Sequence, residues 1–128
     1  MRNQMSRSSV TIALVPEIKQ GPWIYWHDLE TSIQKAAALG YDGAELFTAS
    51  ADAVDVSVLR TYLEKYSIRI SAVGTGAGKV IQGLTLTDPN PEIRQKAMTF
   101  IAEMMAFGAQ FQAPAIIGSM QGNAGSDR

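Results

Sequence analysis

The 128-residue chain is 46% hydrophobic, and its 11 lysines and arginines nearly balance its 12 aspartates and glutamates. This length and composition suit one domain with a core of its own, whereas the near-neutral charge lacks the basic surface by which proteins bind nucleic acid. No cysteine is present for a disulfide or a thiolate site, and no apolar run is long enough for a signal segment or a membrane span. We therefore expect a cytoplasmic protein with neither nucleic-acid nor membrane partners.

The first part of the chain predicts two strands and one helix. Residues 1–9 are polar and predict a disordered tail, and the β-rich run VTIALV follows at 10–15. Asp28 is a good N-cap for an amphipathic helix, which Gly40 would end in the left-handed conformation. The run YDGAELF at 41–47 predicts the second strand.

The remaining chain predicts two more helices and two more strands. Asp55 is the N-cap of the second helix, and the β-branched run at 68–73 is the third strand. A third helix begins after Asn90, with a proline in its first position, and ends near Gly108. Residues 113–119 then predict the fourth strand.

The predicted order is therefore βαβαβαβ, with short apolar strands that are typical of a parallel sheet covered by helices. Two α/β architectures fit this order, a doubly wound open sheet and half of an eight-stranded TIM barrel. A whole barrel needs about 250 residues. The polar run at 122–128 stands where a fourth helix should begin, so we expect residues 10–128 to be the first four strands of a barrel, truncated after the fourth.

The glycine-rich run GTGAGK at 74–79 resembles a phosphate-binding loop but fits neither common pattern. Lys79 stands where a dinucleotide fingerprint needs glycine, while Val73 and Val80 stand where a Walker loop needs glycine and a hydroxyl residue. Residues 80–87 predict extended chain, so no helix N-terminus is expected there to bind a phosphate. We predict a flexible loop at a strand end.

Four segments resemble motifs of the sugar phosphate isomerase/epimerase superfamily, also called the xylose isomerase-like TIM barrels. YDGAELF at 41–47 is similar to its second strand, and SAVGTG at 71–76 to its third. Residues 88–108 resemble its third helix, and APAIIGSMQG at 113–122 its fourth strand. The four motifs occur in the family's order, and the resemblance covers residues 10–128.

This resemblance implies a divalent metal (Mn, Mg, Co or Zn) and proton transfer between neighbouring carbons of a sugar or polyol. In the family's epimerase-like members the metal ligands and the catalytic carboxylates come from the second half of the barrel. The resemblance therefore implies no metal ligand and no catalytic residue within this chain. We expect the chain alone to be inactive and to bind no metal by itself.

Within the chain, four polar residues are predicted to contact the sugar. Glu45 lies in an apolar strand, where a carboxylate is costly unless it is paired or hydrogen-bonded, so we predict that it orients substrate or a metal-bound water. The alternative is a buried structural acceptor. Thr75, Ser119 and Gln121 follow the third and fourth strands, where hydroxyls and amides suit a polyhydroxy ligand, or else cap loops.

Two tryptophans, Trp23 and Trp26, are predicted to stack on the sugar ring and exclude water, although they could equally pack over the first helix. Glu17 could reach the pocket or lie in solvent, and His27 is interpreted as a polar residue before a helix cap.

Met98, Met104 and Met105 fall at core spacing on the third predicted helix and are interpreted as packing.

Two other functions remain open. A non-catalytic half-barrel could pair with itself or with a second chain, because four strands leave two parallel sheet edges open. An abasic-site nuclease is disfavoured by the missing basic surface and by the single histidine.

Overall fold

The computed structural model describes residues 7–16, 25–26 and 28–124. Its described strands form one parallel sheet in the order β2-β1-β3-β4-β5. The strands are β1 (Ser9–Ala13), β2 (Tyr25–Trp26), β3 (Gly43–Phe47), β4 (Arg69–Gly74) and β5 (Ala115–Ile116). The parallel sheet and the alternation of strands with helices confirm the predicted α/β class.

The described ranges contain four α-helices, which are α1 (Leu29–Ala38), α2 (Val56–Tyr66), α3 (Ala77–Gln82) and α4 (Pro91–Ala109). Three of these four helices begin where the sequence predicted, and α3 was not predicted. The side chains of Asp28, Asp55 and Asn90 each accept a hydrogen bond from a backbone amide in the first turn of α1, α2 and α4, respectively. Across the described ranges, no helix is both long and apolar enough to cross a membrane.

The prediction of extended chain at 80–87 is wrong for residues 80–82, because α3 begins at Ala77, within the glycine-rich run, and continues to Gln82. A Cβ on Gly78 would lie 2.8 Å from Met120 Sδ and 2.9 Å from the Phe100 ring, so the helix packs closely at this glycine. The first-turn amides of Gly78 and Lys79 donate to the carbonyls of Thr75 and Gly76. The predicted flexible loop is therefore a packed turn, in which tertiary contact outweighs the low helix propensity of glycine.

Two strand boundaries differ from prediction. β1 begins at Ser9, inside the predicted tail, because the Ser8 amide donates to Asp42 Oδ2 at 2.8 Å and holds the chain at the sheet. The predicted fourth strand at 113–119 is regular only at β5, and a 3₁₀ turn follows at Gly118–Gln121. Gly118 enters this turn with a φ of +48°, a conformation that ends the strand.

The main core lies between the helices and one face of the sheet. Along each strand, residues that point to this face alternate with residues that point to the opposite face. The helices pack against the residues of the first face. Its fully buried side chains include Ile12, Ile33, Leu46, Leu59, Val73 and Met104.

Helix α4 packs closely against the chain before β5 at Gly108. The sequence predicted that the helix would end near this glycine, and α4 ends one residue later, at Ala109. A Cβ on Gly108 would lie 2.5 Å from the carbonyl oxygen of Ala113 and 3.0 Å from Val73 Cγ2. This glycine therefore permits close contact with the chain that leads into β5.

Of the three methionines interpreted as packing, only Met104 is buried. Met98 and Met105 are 50% and 57% exposed, so that interpretation is wrong for both. They are seven positions apart and share one flank of α4, whereas Met104 lies on the face that contacts the core.

Candidate functional site

The sheet face that points away from the main core carries the candidate site. Register pairs its residues across β1, β3 and β4 in three successive levels, as in the layered interior of a TIM barrel. From the N-terminal to the C-terminal end of the strands, these levels are Ser9, Gly43 and Arg69; then Thr11, Glu45 and Ala72; then Ala13, Phe47 and Gly74.

Glu45 occupies the middle level of this face. Its side chain is half-buried, and none of the side-chain hydrogen bonds within the described ranges ends on its carboxylate. Burial raises the pKa of the Glu45 carboxyl above its ordinary value. A partly dry carboxyl that accepts no hydrogen bond from the described residues is available to bind a ligand hydroxyl.

Replacing Glu45 by glutamine is expected to make the protein more stable near neutral pH. The folded state holds the carboxyl proton more tightly than the unfolded state, so stability falls as the pH rises through the raised pKa of Glu45. The gain from Glu45→Gln should be full above this pKa and should vanish by about pH 3, where the carboxyl is protonated in both states.

Urea denaturation of both proteins at several pH values measures this difference. Glu64→Gln, at an exposed position of α2, is the matched control and should show no such gain. A Glu45→Gln variant less stable than the wild type near neutral pH would contradict the expectation.

Above Glu45, the C-terminal end of the site is an apolar wall formed by Phe47. A Cβ on either Gly74 or Gly76 would lie 2.9 Å from the Phe47 ring, so only glycine lets the ring lie against this backbone. The ring also belongs to a small buried cluster with Ala13, Val15 and Ala77. Gly74 and Gly76 of the run at 74–79 therefore allow the Phe47 ring to pack against the backbone.

Thr75 connects the end of β4 to β5. Its side chain is fully buried, and its hydroxyl donates to the carbonyl oxygens of Ile116 at 2.7 Å and Ile117 at 3.1 Å. Its amide also donates to the Ile116 carbonyl. These contacts match the alternative in which Thr75 caps a loop, and its predicted contact with sugar remains a prediction.

Ser119 and Gln121 both lie in the 3₁₀ turn after β5 and are exposed. The Ser119 hydroxyl lies beside Gly76, 3.3 Å from the position of a Cβ there, so it reaches the same end of the strands as Phe47. The backbone carbonyl of Gln121 accepts a hydrogen bond from the Thr87 hydroxyl at 3.0 Å. The structure thus brings Thr75 and Ser119 to one end of the sheet, with Glu45 one level below.

The structure describes one of the two tryptophans that are predicted to contact the sugar. Trp26 belongs to β2 and is paired with Ala13, which places it at the level of Phe47. Trp23, Glu17 and His27 lie outside the described residues.

No three side chains of histidine, cysteine, aspartate or glutamate come together as a metal site within the described part of the chain. The described residues therefore do not fit a divalent metal by themselves, because such sites need several ligands in one place.

A cavity of about 630 Å³ lies at the opposite end of the strands. Among the residues that line it are Arg7, Ser9, Asp42, Arg69 and Ser71. The hydroxyl oxygens of Ser9 and Ser71 are 2.6 Å apart and join β1 to β4 across Gly43. Since catalytic sites of TIM barrels lie at the C-terminal ends of the strands, this cavity is not the predicted site.

Sequence reasoning did not identify Phe47 and Thr11 as neighbours of Glu45. Strand alternation could have found Phe47, because residues two apart on a strand share a face. Thr11 required the register between β1 and β3, which becomes visible only in the structure.

Comparison with known protein families gives one match that covers most of the chain. The sequence model of the xylose isomerase-like TIM barrel family matches residues 33–128. Among curated proteins, none matches the sequence significantly.

Proposed function

Because this chain belongs to the xylose isomerase-like TIM barrel family, we propose that it is the N-terminal part of an enzyme that isomerises or epimerises a sugar or sugar phosphate. The reaction moves a proton at a carbon next to a carbonyl. The observation that carries this proposal is Glu45, a half-buried carboxyl with a raised pKa on the inner face of the sheet.

Glu45 is assigned the role of orienting the substrate. A carboxylate accepts hydrogen bonds from hydroxyls, and a charged acceptor forms a stronger bond than a neutral one. Thr11 stands beside Glu45 on β1 and offers a second hydroxyl partner at the same level. Together these groups would fix a polyhydroxy ligand between β1 and β3.

Phe47 and the end of β4 complete the proposed pocket. The Phe47 ring lies in an apolar cluster one level above Glu45, where it would exclude water from that side of the carboxyl. Ser119 supplies an exposed hydroxyl near Gly76, and Trp23 and Trp26 are assigned to the sugar ring. Gln121 remains the fourth proposed polar contact.

A divalent metal, expected to be Mn, Mg, Co or Zn, would polarise the carbonyl when it is bound. No cluster of three possible ligands occurs among the described residues, so the metal ligands and the acid and base are assigned to residues other than these. The lack of cysteine fits a reducing compartment, and we assign the enzyme to the cytoplasm on this ground.

The test is proton exchange at the carbon next to the carbonyl, followed by NMR in D₂O with a panel of ketoses and their phosphates. The polypeptide expressed from the complete reading frame should exchange the proton when Mn²⁺ or Mg²⁺ is present. Glu45→Gln should lower kcat/KM by about tenfold or more, as expected for the loss of a charged hydrogen bond to substrate.

Glu64→Gln is the control for this assay and should leave kcat/KM unchanged. The 128-residue chain alone should show no exchange. An unchanged kcat/KM in Glu45→Gln would refute the role of Glu45. Turnover by the 128-residue chain alone would refute the expectation that the catalytic residues lie outside this chain.

A second candidate is a non-catalytic partial barrel that acts by association. The observation that favours it is the outer edge of β5, which has no partner strand in the described ranges and where Ile116 and Ile117 are 43% and 41% exposed. This candidate predicts no proton exchange from the complete polypeptide with any sugar of the panel.

A further inference from the structure

We propose that the cavity of about 630 Å³ at the N-terminal ends of the strands binds a small phosphate monoester that also carries hydroxyl groups. We call it the arginine cavity, because Arg7 and Arg69 both line it, together with Asp42, Gln112 and several serines. This inference does not rest on the proposed enzyme activity, since the candidate site extends from the middle of the sheet towards the opposite end of the strands.

Two arginines from distant parts of the chain meet at the arginine cavity. Arg7 lies two residues before β1, and Arg69 is the first residue of β4. The register brings them together, because Ser9 and Arg69 both pair with Gly43 of the intervening strand β3.

The charge of these arginines is not neutralised by an ion pair. Both side chains are exposed, and neither guanidinium forms an ion pair or donates a hydrogen bond to another described residue. Asp42 is the one acidic residue among the described lining residues, so the wall of the cavity carries a net positive charge in a chain whose formal net charge is −1. This charge distribution favours an anion as the ligand.

The number of charges and donors favours a phosphate over a carboxylate. A phosphate monoester carries about −1.5 to −2 charges at neutral pH and three strong acceptor oxygens. Two guanidinium groups, each able to donate two parallel hydrogen bonds, match that charge better than the single charge of a carboxylate. The Ser9 and Ser71 hydroxyls are 2.6 Å apart, and since one donates to the other, the second keeps its hydrogen for a ligand.

Asp42 and Gln112 indicate that the ligand also carries hydroxyl groups. Asp42 Oδ2 accepts a hydrogen bond from the Ser8 amide at 2.8 Å, whereas no hydrogen bond from a described residue ends on its Oδ1. A carboxylate oxygen repels a bare anion but accepts hydrogen bonds from hydroxyls, and the Gln112 amide can donate or accept. These two residues therefore favour a phosphorylated polyol over inorganic phosphate.

The backbone at two lining residues supports a role for their side chains. Within the described ranges, the non-glycine residues with positive φ are Ser67, at +52°, and Gln112, at +56°. Each lies in a connection from a helix to the next strand, a place that Gly40 occupies after α1 with a φ of +86°. Because glycine adopts this conformation without strain, backbone geometry alone would favour glycine at both positions. The polar side chains found there line the arginine cavity instead.

Completion of a barrel would leave the outer wall of this cavity accessible. Further strands join the sheet at its edges, and further helices lie beside those already present. Arg7, Asp42, Ser67 and Gln112 lie in the segments that precede strands, and these segments stay at the surface of a closed barrel. The volume of the cavity also falls within the range of about 300 to 1,000 Å³ that small-molecule sites have.

Isothermal titration calorimetry of the 128-residue chain with glycerol phosphate, inorganic phosphate and glycerol tests the proposal. Glycerol phosphate should bind about fivefold more tightly than inorganic phosphate, and glycerol should not bind. Arg7→Gln and Arg69→Gln should each weaken binding by about tenfold or more, because each removes a charged hydrogen-bond donor. Lys96→Gln, at an exposed position in the N-terminal half of α4, is the charge-matched control and should bind like the wild type.

Asp42→Asn tests the hydroxyl contacts separately from the phosphate contacts. Asparagine keeps an acceptor for the Ser8 amide but loses the negative charge. This variant should bind inorganic phosphate at least as tightly as the wild type, while its preference for glycerol phosphate should fall. An unchanged preference would overturn the assignment of the ligand hydroxyls to Asp42.

Amide NMR spectra of the isotope-labelled wild type locate the bound ligand without any variant. Glycerol phosphate should shift the amides of Ser8, Ser67 and Gln112 and should leave those of Glu45 and Phe47 in place. Shifts confined to the Phe47 end of the strands would overturn the proposed site while leaving the proposed function intact.

Three calorimetric results would also overturn the proposal. These are no binding of either phosphate compound, an equal loss of affinity in Lys96→Gln and Arg69→Gln, and equal affinity of the wild type for glycerol phosphate and inorganic phosphate. None of these measurements depends on turnover, so this inference and the proposed function can fail separately.

Discussion

Replacing Phe47 by alanine is expected to lower the free energy of unfolding by about 3 to 5 kcal/mol, the range for deleting a buried aromatic ring. Phe47 is 7% exposed and packs within the cluster that contains Ala13, Val15 and Ala77. Its ring also lies against the backbone of two glycines, which have no side chains that could move into the space. The cavity would therefore persist, and such cavities carry the larger penalties.

Guanidinium denaturation of wild type, Phe47→Ala and Phe47→Leu would measure this effect. Phe47→Leu keeps much of the apolar volume and should cost less than about 1.5 kcal/mol. It also remains measurable if Phe47→Ala is unfolded at room temperature. Equal stabilities for Phe47→Leu and Phe47→Ala would show that the ring does not fill a fixed space.

Replacing Gly108 by valine is expected to lower the free energy of unfolding by about 3 kcal/mol, at the upper end of the range for overpacking. A Cβ at this position would lie 2.5 Å from the Ala113 carbonyl oxygen and 3.0 Å from Val73. Because the nearest atom belongs to the backbone, relief requires α4 to move away from the sheet. The intrinsic helix propensity gained over glycine is only a few tenths of a kcal/mol and does not offset this.

Two variants isolate the contact at Gly108 in the same denaturation experiment. Ala106→Val adds a β-branched side chain at an exposed position of the same helix and should cost no more than about 0.7 kcal/mol, the difference in helix propensity. Gly108→Ala should fall between the wild type and Gly108→Val. A Gly108→Val protein as stable as Ala106→Val would mean that the close approach at Ala113 is not needed for the fold.

The elements that the sequence predicted well are those whose ends depend on local chemistry. Asp28, Asp55 and Asn90 each cap a helix through contacts with amides two or three residues ahead, so their neighbours in sequence contain the information needed. The parallel strands were also predictable, because their apolar runs are short and separated by helices.

The elements that the sequence missed depend on distant partners. β2 has only two residues and exists because it pairs with β1. Helix α3 contains a glycine, and it forms where Gly78 packs against Phe100 and Met120. The sequence of such a segment contains no pattern that indicates these contacts, so local propensity predicts the wrong secondary structure.

The candidate site shows the same difference between local sequence signals and distant contacts. Glu45 was identifiable from the sequence because a carboxylate in an apolar strand is costly unless it is paired or hydrogen-bonded. The environment of Thr75 could not be predicted in this way, since its hydroxyl donates to carbonyls 41 and 42 positions away in the chain. Met98 and Met105 show the converse error, because core-like spacing does not reveal which flank of a helix its neighbours leave uncovered.

The order of the sheet has a consequence for how the protein is made. Apart from the short β2, each strand pairs with the strand that precedes it in the chain, from β1 through β3 and β4 to β5. Each new strand therefore finds its partner already synthesised, and no pairing must wait for a distant terminus. Loop closures of this kind keep the entropy cost of each step modest, so the sheet can assemble progressively while the chain emerges from the ribosome.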